Sequence, residues 1–323
     1  MDRGKRSLTV AAVQMASRNG DIAGNLARAT PLVETAAARG ASLVLLPEFM
    51  PTGYIFSREI WDAAEPGEGA TVRWLRDTSR RLGIWLGTSY LEAEGEHFYN
   101  SFVLTDPRGE EAGRVRKRTP ACAEAYFTRG QDGPHCMDTA LGRIGVGICY
   151  ENQLAYLPRM MCAQDPDILL MPHSAPSPMP NPFFPAGAVA GFNRLLEEMA
   201  PFYAAMLGVP AVFANKCGPW VSPMPGLPFL TQTSSFPGLS AIADGDGTVK
   251  ARLGDEEGVI VAEVTLDPAR KTGTCAAGHG RWAMRVPRAT NLWRVIELAG
   301  GIYYRLSPGR RRRARAVSSG ATA

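Results

Sequence analysis

Three side chains with complementary chemistry follow apolar segments that have the pattern of buried strands. Glu48 comes shortly after the run Leu43–Leu46. Lys117 ends a second strand-like segment, and Cys149 directly follows Ile144–Ile148. The carboxyl ends of parallel strands lie at one edge of a sheet, where ligands usually bind. We therefore expect a carboxylate, an ammonium and a thiol to meet at one site.

These three groups together can perform nucleophilic acyl chemistry. A free cysteine has a pKa near ~8.5, and a lysine cation and a base close by would supply the reactive thiolate. The carboxylate can accept the thiol proton and later pass it to a leaving nitrogen. The lysine can then stabilise the developing oxyanion. Each residue alone also fits a structural role, as a core thiol or a solvated charge, but their joint occurrence favours catalysis.

Other chemistries lack their sequence signatures. The chain has no dinucleotide-binding glycine motif after a strand, no P-loop, no zinc-protease motif and no serine-hydrolase elbow. The histidines and cysteines are scattered singly, without zinc-binding spacing, so the sequence predicts no metal site. They are His97, His135, His173, His279, Cys122, Cys136, Cys149, Cys162, Cys217 and Cys275. The run Asp244-Gly245-Asp246-Gly247 lacks the glycine an EF-hand needs at its sixth position and is interpreted as a hairpin turn.

Strand and helix patterns alternate along the chain, which indicates an α/β fold. Leu8–Val13 and Leu43–Leu46 are typical of buried strands, and apolar residues recur at helical spacing over residues 22–36. Pro31 predicts either a kink or a helix that begins near Thr30. Further helices are predicted at Thr71–Arg81, from about Pro158, and at Gly187–Leu207. Further strands are predicted at Ile84–Tyr90, Tyr99–Thr105, Glu111–Arg116, Ile144–Ile148, Ile168–Met171, Pro210–Ala214, Ser240–Ala243, Val249–Leu253 and Val259–Val264.

The charge is unevenly distributed over the 323 residues. The net charge of +4 arises from the segment that starts at Arg305, which carries six arginines and no acid. Without it, 29 basic residues face 31 acidic ones, so no nucleic-acid-binding surface is expected on the folded body. We interpret the segment itself as a disordered basic terminus.

The remaining composition points to a globular cytoplasmic protein. Hydrophobic residues make up 45 % and charged residues 20 % of the chain, which excludes wholesale disorder. The longest apolar run, Phe202–Ala214, is interrupted by Gly208 and Pro210, so no membrane span is expected. The thinly spread cysteines are typical of free thiols in a reducing compartment.

Five segments make the sequence similar to the nitrilase, or carbon–nitrogen hydrolase, superfamily. The resemblance runs from about Leu8 to Pro268, and three of the segments surround Glu48, Lys117 and Cys149 in the order that the family shows. The segments are Leu46-Pro47-Glu48-Phe49, Tyr99-Asn100-Ser101, Arg116-Lys117 with Glu124-Ala125-Tyr126-Phe127-Thr128, Gly145-Val146-Gly147-Ile148-Cys149-Tyr150-Glu151, and Gly238-Leu239-Ser240-Ala241-Ile242-Ala243-Asp244 with Gly247.

The resemblance implies a role for each residue of the site. Glu48 would be the general base and acid, Lys117 the oxyanion stabiliser, and Cys149 the nucleophile that forms a thioester or thioimidate. Glu124 matches the family's second glutamate and would position Lys117 or the substrate nitrogen. The backbone N–H of Tyr150 would complete the oxyanion hole.

The resemblance also implies the architecture. The expected fold is a four-layer α-β-β-α sandwich of two mixed sheets with outer helices. Residues 1–304 would form the carbon–nitrogen hydrolase domain and residues 305–323 the basic tail. A homodimer or larger homo-oligomer is expected, with no metal or organic cofactor and with a small amide or nitrile as substrate.

Departures from the family pattern leave the substrate open. Gln153 stands where amide-cleaving branches commonly have arginine, and Pro158 comes three residues late. The segment Cys149–Asn152, with Leu157 and Arg159 downstream and Asp138–Gly145 upstream, is more similar to true nitrilases. Tyr150 stands where nitrilases usually have tryptophan, and the segment from Tyr126 to Thr128 favours amidases. Amide, carbamoyl amide and nitrile substrates all remain possible.

Aromatic residues near the motifs predict a partly apolar entrance, although core packing would explain them equally well. The candidates are Tyr54, Phe127, His173 and the loop Pro172–Pro185 with Phe183 and Phe184. The favoured function is an amidase that acts through a thioester on Cys149. A nitrilase, an N-acyltransferase and a catalytically silent member of the fold are the alternatives.

Overall fold

The computed structural model describes residues 4–182, 184–273, 275 and 278–320. The helices are α1 (Ile22–Ala38), α2 (Ala70–Leu82), α3 (Tyr156–Gln164), α4 (Ala186–Leu207), α5 (Trp293–Leu306) and α6 (Arg310–Ser318). The strands are β1 (Arg6–Gln14), β2 (Leu43–Leu45), β3 (Trp85–Glu94), β4 (His97–Thr105), β5 (Glu111–Arg116), β6 (Cys136–Thr139), β7 (Gly142–Val146), β8 (Ile168–Pro172), β9 (Ala211–Ala214), β10 (Cys217–Met224), β11 (Leu227–Pro237), β12 (Ala241–Ala243), β13 (Val249–Arg252) and β14 (Gly258–Leu266).

Most strands belong to two mixed sheets. In the first sheet the order is β14-β1-β2-β3-β4-β5, and in the second it is β13-β12-β9-β8-β7-β6. Parallel strands form the centre of each sheet, with β1 pairing β2 and β2 pairing β3 in one, and β7 pairing β8 and β8 pairing β9 in the other. The outer strands pair antiparallel. The predicted mixed sheets are confirmed.

Alternating side chains of the central strands pack into two different cores. Along β1, Val10 and Ala12 point into the space between the sheets, where they meet side chains of β7, β8 and β9 such as Leu170. Ala11 and Val13 point the other way, against α1 and α2. This period of two is what a strand buried on both faces requires. Helix α4 covers the outer face of the second sheet, which completes the predicted four-layer sandwich.

Helix α1 does not begin near Thr30, so that alternative is wrong. Asp21 caps it by accepting a hydrogen bond from the backbone N–H of Gly24 at 2.9 Å, and the helix continues through Pro31. Proline removes one backbone hydrogen bond inside a helix. The buried apolar face on both sides of Pro31, from Leu26 to Val33, outweighs that loss.

The expectation of six free thiols is wrong for two of them. Cys162 in α3 forms a disulfide with Cys275, and their Cα atoms are 6.3 Å apart. The two positions are separated by 113 residues, so only the fold brings them together. Cys122, Cys136, Cys149 and Cys217 are free.

The prediction of a disordered terminus from Arg305 onward is wrong for the described residues, because α6 packs on the body next to β3 and β4. Arg310 is buried, stacks 4.3 Å from the centre of the Tyr304 ring and donates to the carbonyl oxygen of Glu96. Arg313 pairs with Asp62. Acidic and aromatic side chains of the body therefore hold this basic helix in place. The distribution of charge along the sequence does not show which residues these partners are.

A hairpin and a two-stranded ribbon complete the fold. Asp244–Gly247 joins β12 to β13 as the predicted hairpin. Strands β10 and β11 pair antiparallel and form a ribbon outside both main sheets, which the sequence patterns did not predict.

Within the described ranges, no helix is both long and apolar enough to cross a membrane.

Candidate active site

Glu48, Lys117 and Cys149 converge because their strands end on the same side of the sandwich. Glu48 follows β2, and Lys117 follows β5, which runs in the same direction as β2 since β3, β4 and β5 alternate. Cys149 follows β7 of the facing sheet. The sequence prediction that these side chains meet is in accord with this geometry.

A buried ion network surrounds Lys117. Its Nζ donates to Oε1 of Glu48 at 2.7 Å and to Oε2 of Glu124. Asn100 joins the two carboxylates, since its Nδ2 donates to Glu48 at 2.7 Å and to Glu124 at 2.9 Å. Lys117 is 1 % exposed and the carboxylates no more than 2 %. Asn100 is part of the Tyr99-Asn100-Ser101 motif, but the sequence predicts no role for it.

The charge state of Lys117 follows from this network. Burial alone would lower the pKa of the ammonium, but the negative charges of Glu124 and Glu48 outweigh burial and raise that pKa. Burial raises the pKa of Glu124, against the opposing effect of Lys117. Lys117 therefore remains a cation at neutral pH, the state in which it can stabilise negative charge.

The backbone of Glu48 is fixed from several sides. Its N–H donates to the carbonyl oxygen of His173 at 3.2 Å, and its carbonyl accepts from the Ser174 hydroxyl at 2.5 Å. Oε1 is occupied by Lys117 and Asn100, whereas Oε2 has no hydrogen-bond partner within the described part of the chain. The carboxylate is thus held rigidly and keeps one oxygen available for a proton.

Cys149 lies on a sharp turn after β7. Its φ of 52° is in the left-handed region, which side chains other than glycine rarely adopt. Asn152 holds the turn by donating to the carbonyl oxygens of Gly147 at 2.7 Å and Cys149 at 3.1 Å. A Cβ on Gly147 would lie 2.1 Å from Oδ1 of Asn152, so this close approach requires glycine. The turn presents the sulfur to a cavity lined in part by Cys149.

The resting sulfur is a thiol. Burial and the charge of Glu48 raise the pKa of Cys149, while Lys117 lowers it by less. The effect of both charges on Cys149 shows that the three side chains are electrostatically coupled. A thiol with a raised pKa needs a base to become a nucleophile, and Glu48 is the carboxylate next to it.

Glu151 connects the turn of Cys149 with the strand end of Lys117. One oxygen accepts from the N–H of Arg118 at 2.8 Å, and the other accepts from the N–H of Ile148 at 3.2 Å. His135 adds a contact at 3.1 Å, and it lowers the pKa of Glu151 against the effect of burial. In the sequence, Glu151 is only part of the motif around Cys149, and no role is predicted for it. Its position two residues after Cys149 was the available signal.

Lys216 is a second buried lysine that sequence reasoning missed. It is 1 % exposed, and its Nζ donates to the carbonyl oxygen of Phe49 at 2.8 Å. Phe49 has a φ of 47° and directly follows Glu48, so this bond helps hold a strained turn next to the carboxylate. Burial lowers the pKa of Lys216 to about 7, with opposing effects from Glu48 and Cys149.

Replacing Lys216 with methionine is expected to change how stability depends on pH. Between about pH 7 and the ordinary lysine pKa near 10.4, the unfolded chain binds more protons at this site than the folded chain, so wild-type stability rises with pH there. From pH 7 to pH 9, the wild type should gain about 2 kcal/mol in unfolding free energy relative to the variant. Urea unfolding at both pH values measures this gain.

The control is Lys250→Met, at an exposed position. The difference in unfolding free energy between Lys250→Met and the wild type should be the same at both pH values. If the difference between Lys216→Met and the wild type is also the same at both pH values, a lowered pKa for Lys216 is contradicted.

A cavity of about 380 Å³ opens in front of Cys149. Tyr54, predicted for the entrance, lines it, and so does Phe184 of the predicted loop. Tyr150, whose backbone N–H the family resemblance assigns to the oxyanion hole, also lines it. Phe183 lies outside the described residues. Cys149 lines the cavity directly, whereas Glu48 and Lys117 lie behind it.

Phe127 and His173 do not line this cavity, contrary to the prediction. The carbonyl oxygen of Phe127 accepts from the indole N–H of Trp61 at 2.9 Å, and its ring packs near Tyr303. The His173 ring is fully buried against Phe213, and burial lowers its pKa to about 4, so it is neutral. His173 instead supports Glu48 through its backbone carbonyl.

The described residues contain no group of three or more histidine, cysteine, aspartate or glutamate side chains placed to hold a metal ion. The polar groups of the site bond mainly to one another, while Oε2 of Glu48 and Oδ1 of Asn100 have no hydrogen-bond partner among the described residues. Their arrangement brings together a thiol, a carboxylate and an ammonium, the groups that nucleophilic acyl chemistry can use.

The chain matches one family model and several named relatives. The family model of carbon–nitrogen hydrolases matches residues 9–274. The chain is 29 % identical over 302 residues to N-carbamoylputrescine amidase of Solanum lycopersicum, a match that covers 90 % of this chain and 95 % of the relative. It is 33 % identical over 166 residues to a nitrilase of Pyrococcus abyssi, which covers 48 % of this chain and 63 % of the relative.

Solved structures of low sequence identity share the fold. A carbon–nitrogen hydrolase from Helicobacter pylori superimposes with a TM-score of 0.70 at 20 % identity, covering 82 % of this chain and 91 % of that one. An amidase from Nesterenkonia sp., with the acetamide moiety of fluoroacetamide covalently added at its active-site cysteine, gives a TM-score of 0.63 at 23 % identity. That match covers 83 % of this chain and 93 % of the other.

Proposed function

Because the chain belongs to the carbon–nitrogen hydrolase family, we propose that it cleaves the C–N bond of a small non-peptide amide through a thioester on Cys149. The observation that carries this proposal is the buried network of Lys117, Glu48 and Glu124 beside a thiol that faces a cavity. Such a network supports the proposal because it would supply a base and a cation to a cysteine nucleophile in a site largely shielded from water.

In the first half of the reaction, Glu48 accepts the proton of the Cys149 thiol while the sulfur attacks the amide carbon. The carbonyl oxygen becomes an oxyanion, which the Lys117 ammonium and the backbone N–H of Tyr150 stabilise. The C–N bond then breaks, and Glu48 returns the proton to the leaving nitrogen. The amine or ammonia departs and leaves an acyl group on the sulfur. Glu124 keeps Lys117 in place throughout.

In the second half, water attacks the thioester. Glu48 takes a proton from the water as the new C–O bond forms, and the second oxyanion uses the same stabilising groups. The C–S bond then breaks, and the sulfur regains its proton from Glu48. The products are a carboxylic acid and the free enzyme.

An amide is favoured over a nitrile by the extent of the matches. The relative named N-carbamoylputrescine amidase matches along nearly the whole chain, whereas the relative named nitrilase matches about half of it. A carbamoyl amide would use the same steps, since its carbonyl carbon also bears the departing nitrogen.

The amide assignment predicts the outcome of a matched substrate comparison. Hexanamide and hexanenitrile share an alkyl chain, and both release ammonia if hydrolysed fully to the acid. The kcat/KM for the amide should exceed that for the nitrile by about 100-fold or more, equivalent to about 3 kcal/mol of differential transition-state stabilisation. Ammonia release measures both reactions. A preference for the nitrile would assign the chain to the nitrilase alternative.

Transfer of the acyl group to an amine differs only in the molecule that attacks the thioester. Adding a primary amine during hexanamide turnover distinguishes this alternative, since an acyltransferase would make the new amide at the expense of the acid.

The homo-oligomeric state and the cytoplasmic location remain predictions.

A further inference from the structure

The wall of the cavity in front of Cys149 is dominated by aromatic side chains. The Trp293 ring lies 5.5 Å from Phe192, 5.9 Å from Tyr150 and 6.3 Å from Phe184, measured between ring centres. All four residues line the cavity. Met179 of the Pro172–Pro185 loop and Met224 of β10 also contribute. Such a wall stabilises apolar groups.

No charged side chain lines this cavity within the described part of the chain. The polar lining groups are neutral amides, hydroxyls and thiols. Two of them, Gln153 and Tyr150, are each 2 % exposed and carry a buried oxygen without a hydrogen-bond partner. The cavity therefore offers neutral hydrogen-bonding groups and no counter-ion.

The charged groups close to the cavity already have ionic partners. Glu297 of α5 affects the pKa of Tyr150 and Cys122; its Oε2 bonds to Arg281 at 2.5 Å, and its Oε1 is buried without a hydrogen-bond partner among the described residues. Lys117 pairs with Glu48 and Glu124 behind Cys149. A charged end group on a substrate would lose its hydration here without gaining an ionic partner, which is costly.

We propose that the substrate of this cavity has an uncharged, largely apolar acyl group. The proposal rests on the proposed amidase function and narrows its substrate class. Amides whose far end is an ammonium, a carboxylate or an amino-acid zwitterion are excluded, and this applies to carbamoyl amides as well.

The test uses three amides that share a six-carbon chain. Hexanamide is neutral, 6-aminohexanamide carries an ammonium and adipamic acid carries a carboxylate at neutral pH. The kcat/KM of the wild type should be higher for hexanamide than for either charged amide by about 100-fold or more. A charged amide hydrolysed as well as hexanamide would overturn the proposal and leave the amidase function intact. If none of the three is hydrolysed, butylurea and N-carbamoylputrescine form the matching carbamoyl pair.

Binding provides a readout that does not depend on turnover. The Cys149→Ala variant should bind hexanamide more tightly than 6-aminohexanamide or adipamic acid in calorimetric titration. Equal or tighter binding of a charged amide would overturn the proposal. Selective binding of hexanamide together with no hydrolysis of any amide or carbamoyl compound by the wild type would refute the amidase function while the neutral character of the cavity held.

A charge introduced into the cavity wall tests whether substrate selection depends on charge or on shape. Met179 is half-buried at the cavity, so Met179→Glu adds a carboxylate, and Met179→Gln is its uncharged control of nearly equal shape. The ratio of kcat/KM for 6-aminohexanamide over hexanamide should be about 10-fold higher in Met179→Glu than in Met179→Gln. Equal ratios in the two variants would show that charge at this wall does not govern selection.

Discussion

The Cys149→Ala variant is expected to fold and to lose amide hydrolysis by about 10⁴-fold or more, since alanine has no sulfur with which to form the thioester. Alanine removes one sulfur from a buried turn that Asn152 and Glu151 hold through backbone groups. The fold should therefore survive. Ammonia release under saturating hexanamide measures activity, and circular dichroism checks folding.

Cys136→Ala is the matched control. Cys136 is a free thiol in β6 and does not line the cavity, so its variant should keep the wild-type rate. Turnover by Cys149→Ala within tenfold of the wild type would require another nucleophile, or direct attack by water, and would refute the thioester mechanism.

Lys117→Met is expected to impair both stability and catalysis. The substitution leaves Glu48 and Glu124 buried without their shared cation, and breaking such a pair costs about 3–5 kcal/mol. Loss of the cation should also lower kcat/KM by about 10³-fold, because the oxyanion loses a preorganised charge. Urea unfolding and ammonia release measure the two effects.

A double variant separates the two effects of Lys117. Lys117→Met with Glu124→Gln removes one negative charge along with the positive one, so part of the lost stability should return. Activity should stay low because no cation is restored. Recovery of hydrolysis together with stability would show that Lys117 acts only by neutralising its neighbours. Lys250→Met, at an exposed site, should change neither property.

The site residues at strand ends could be predicted because the order and direction of the strands determine where these residues lie. An apolar run followed by Glu48 or Cys149 indicates a buried strand that delivers its next side chains to one edge. Glu124 lies in a short 3₁₀ helix rather than at a strand end, so only the family resemblance identified it. Asn100 lies within β4, where its amide is one polar group among many until the carboxylates it joins are placed.

The incorrect predictions share a different cause. Phe127 and His173 are close to the motifs in sequence, but the direction of a side chain depends on its neighbours in space. Lys216 follows β9, and a lysine in that place is ordinarily solvent-exposed, so nothing local indicates that it reaches Phe49. Likewise, Arg310 is buried by Tyr304 and Glu96, which are far from one another in sequence. Neither hydrophobic periodicity nor composition indicates contacts of this kind between residues that are far apart in the sequence.

Identification of the acylated residue during turnover tests the mechanism most directly. Wild-type protein mixed with hexanamide, quenched in acid within the first turnovers and digested, should carry a hexanoyl group on the peptide that contains Cys149. Cys122 also lines the cavity, so peptide mapping must distinguish the two thiols. A hexanoyl group on Cys122, or product formed in a burst while every side chain stays unmodified, would contradict the account.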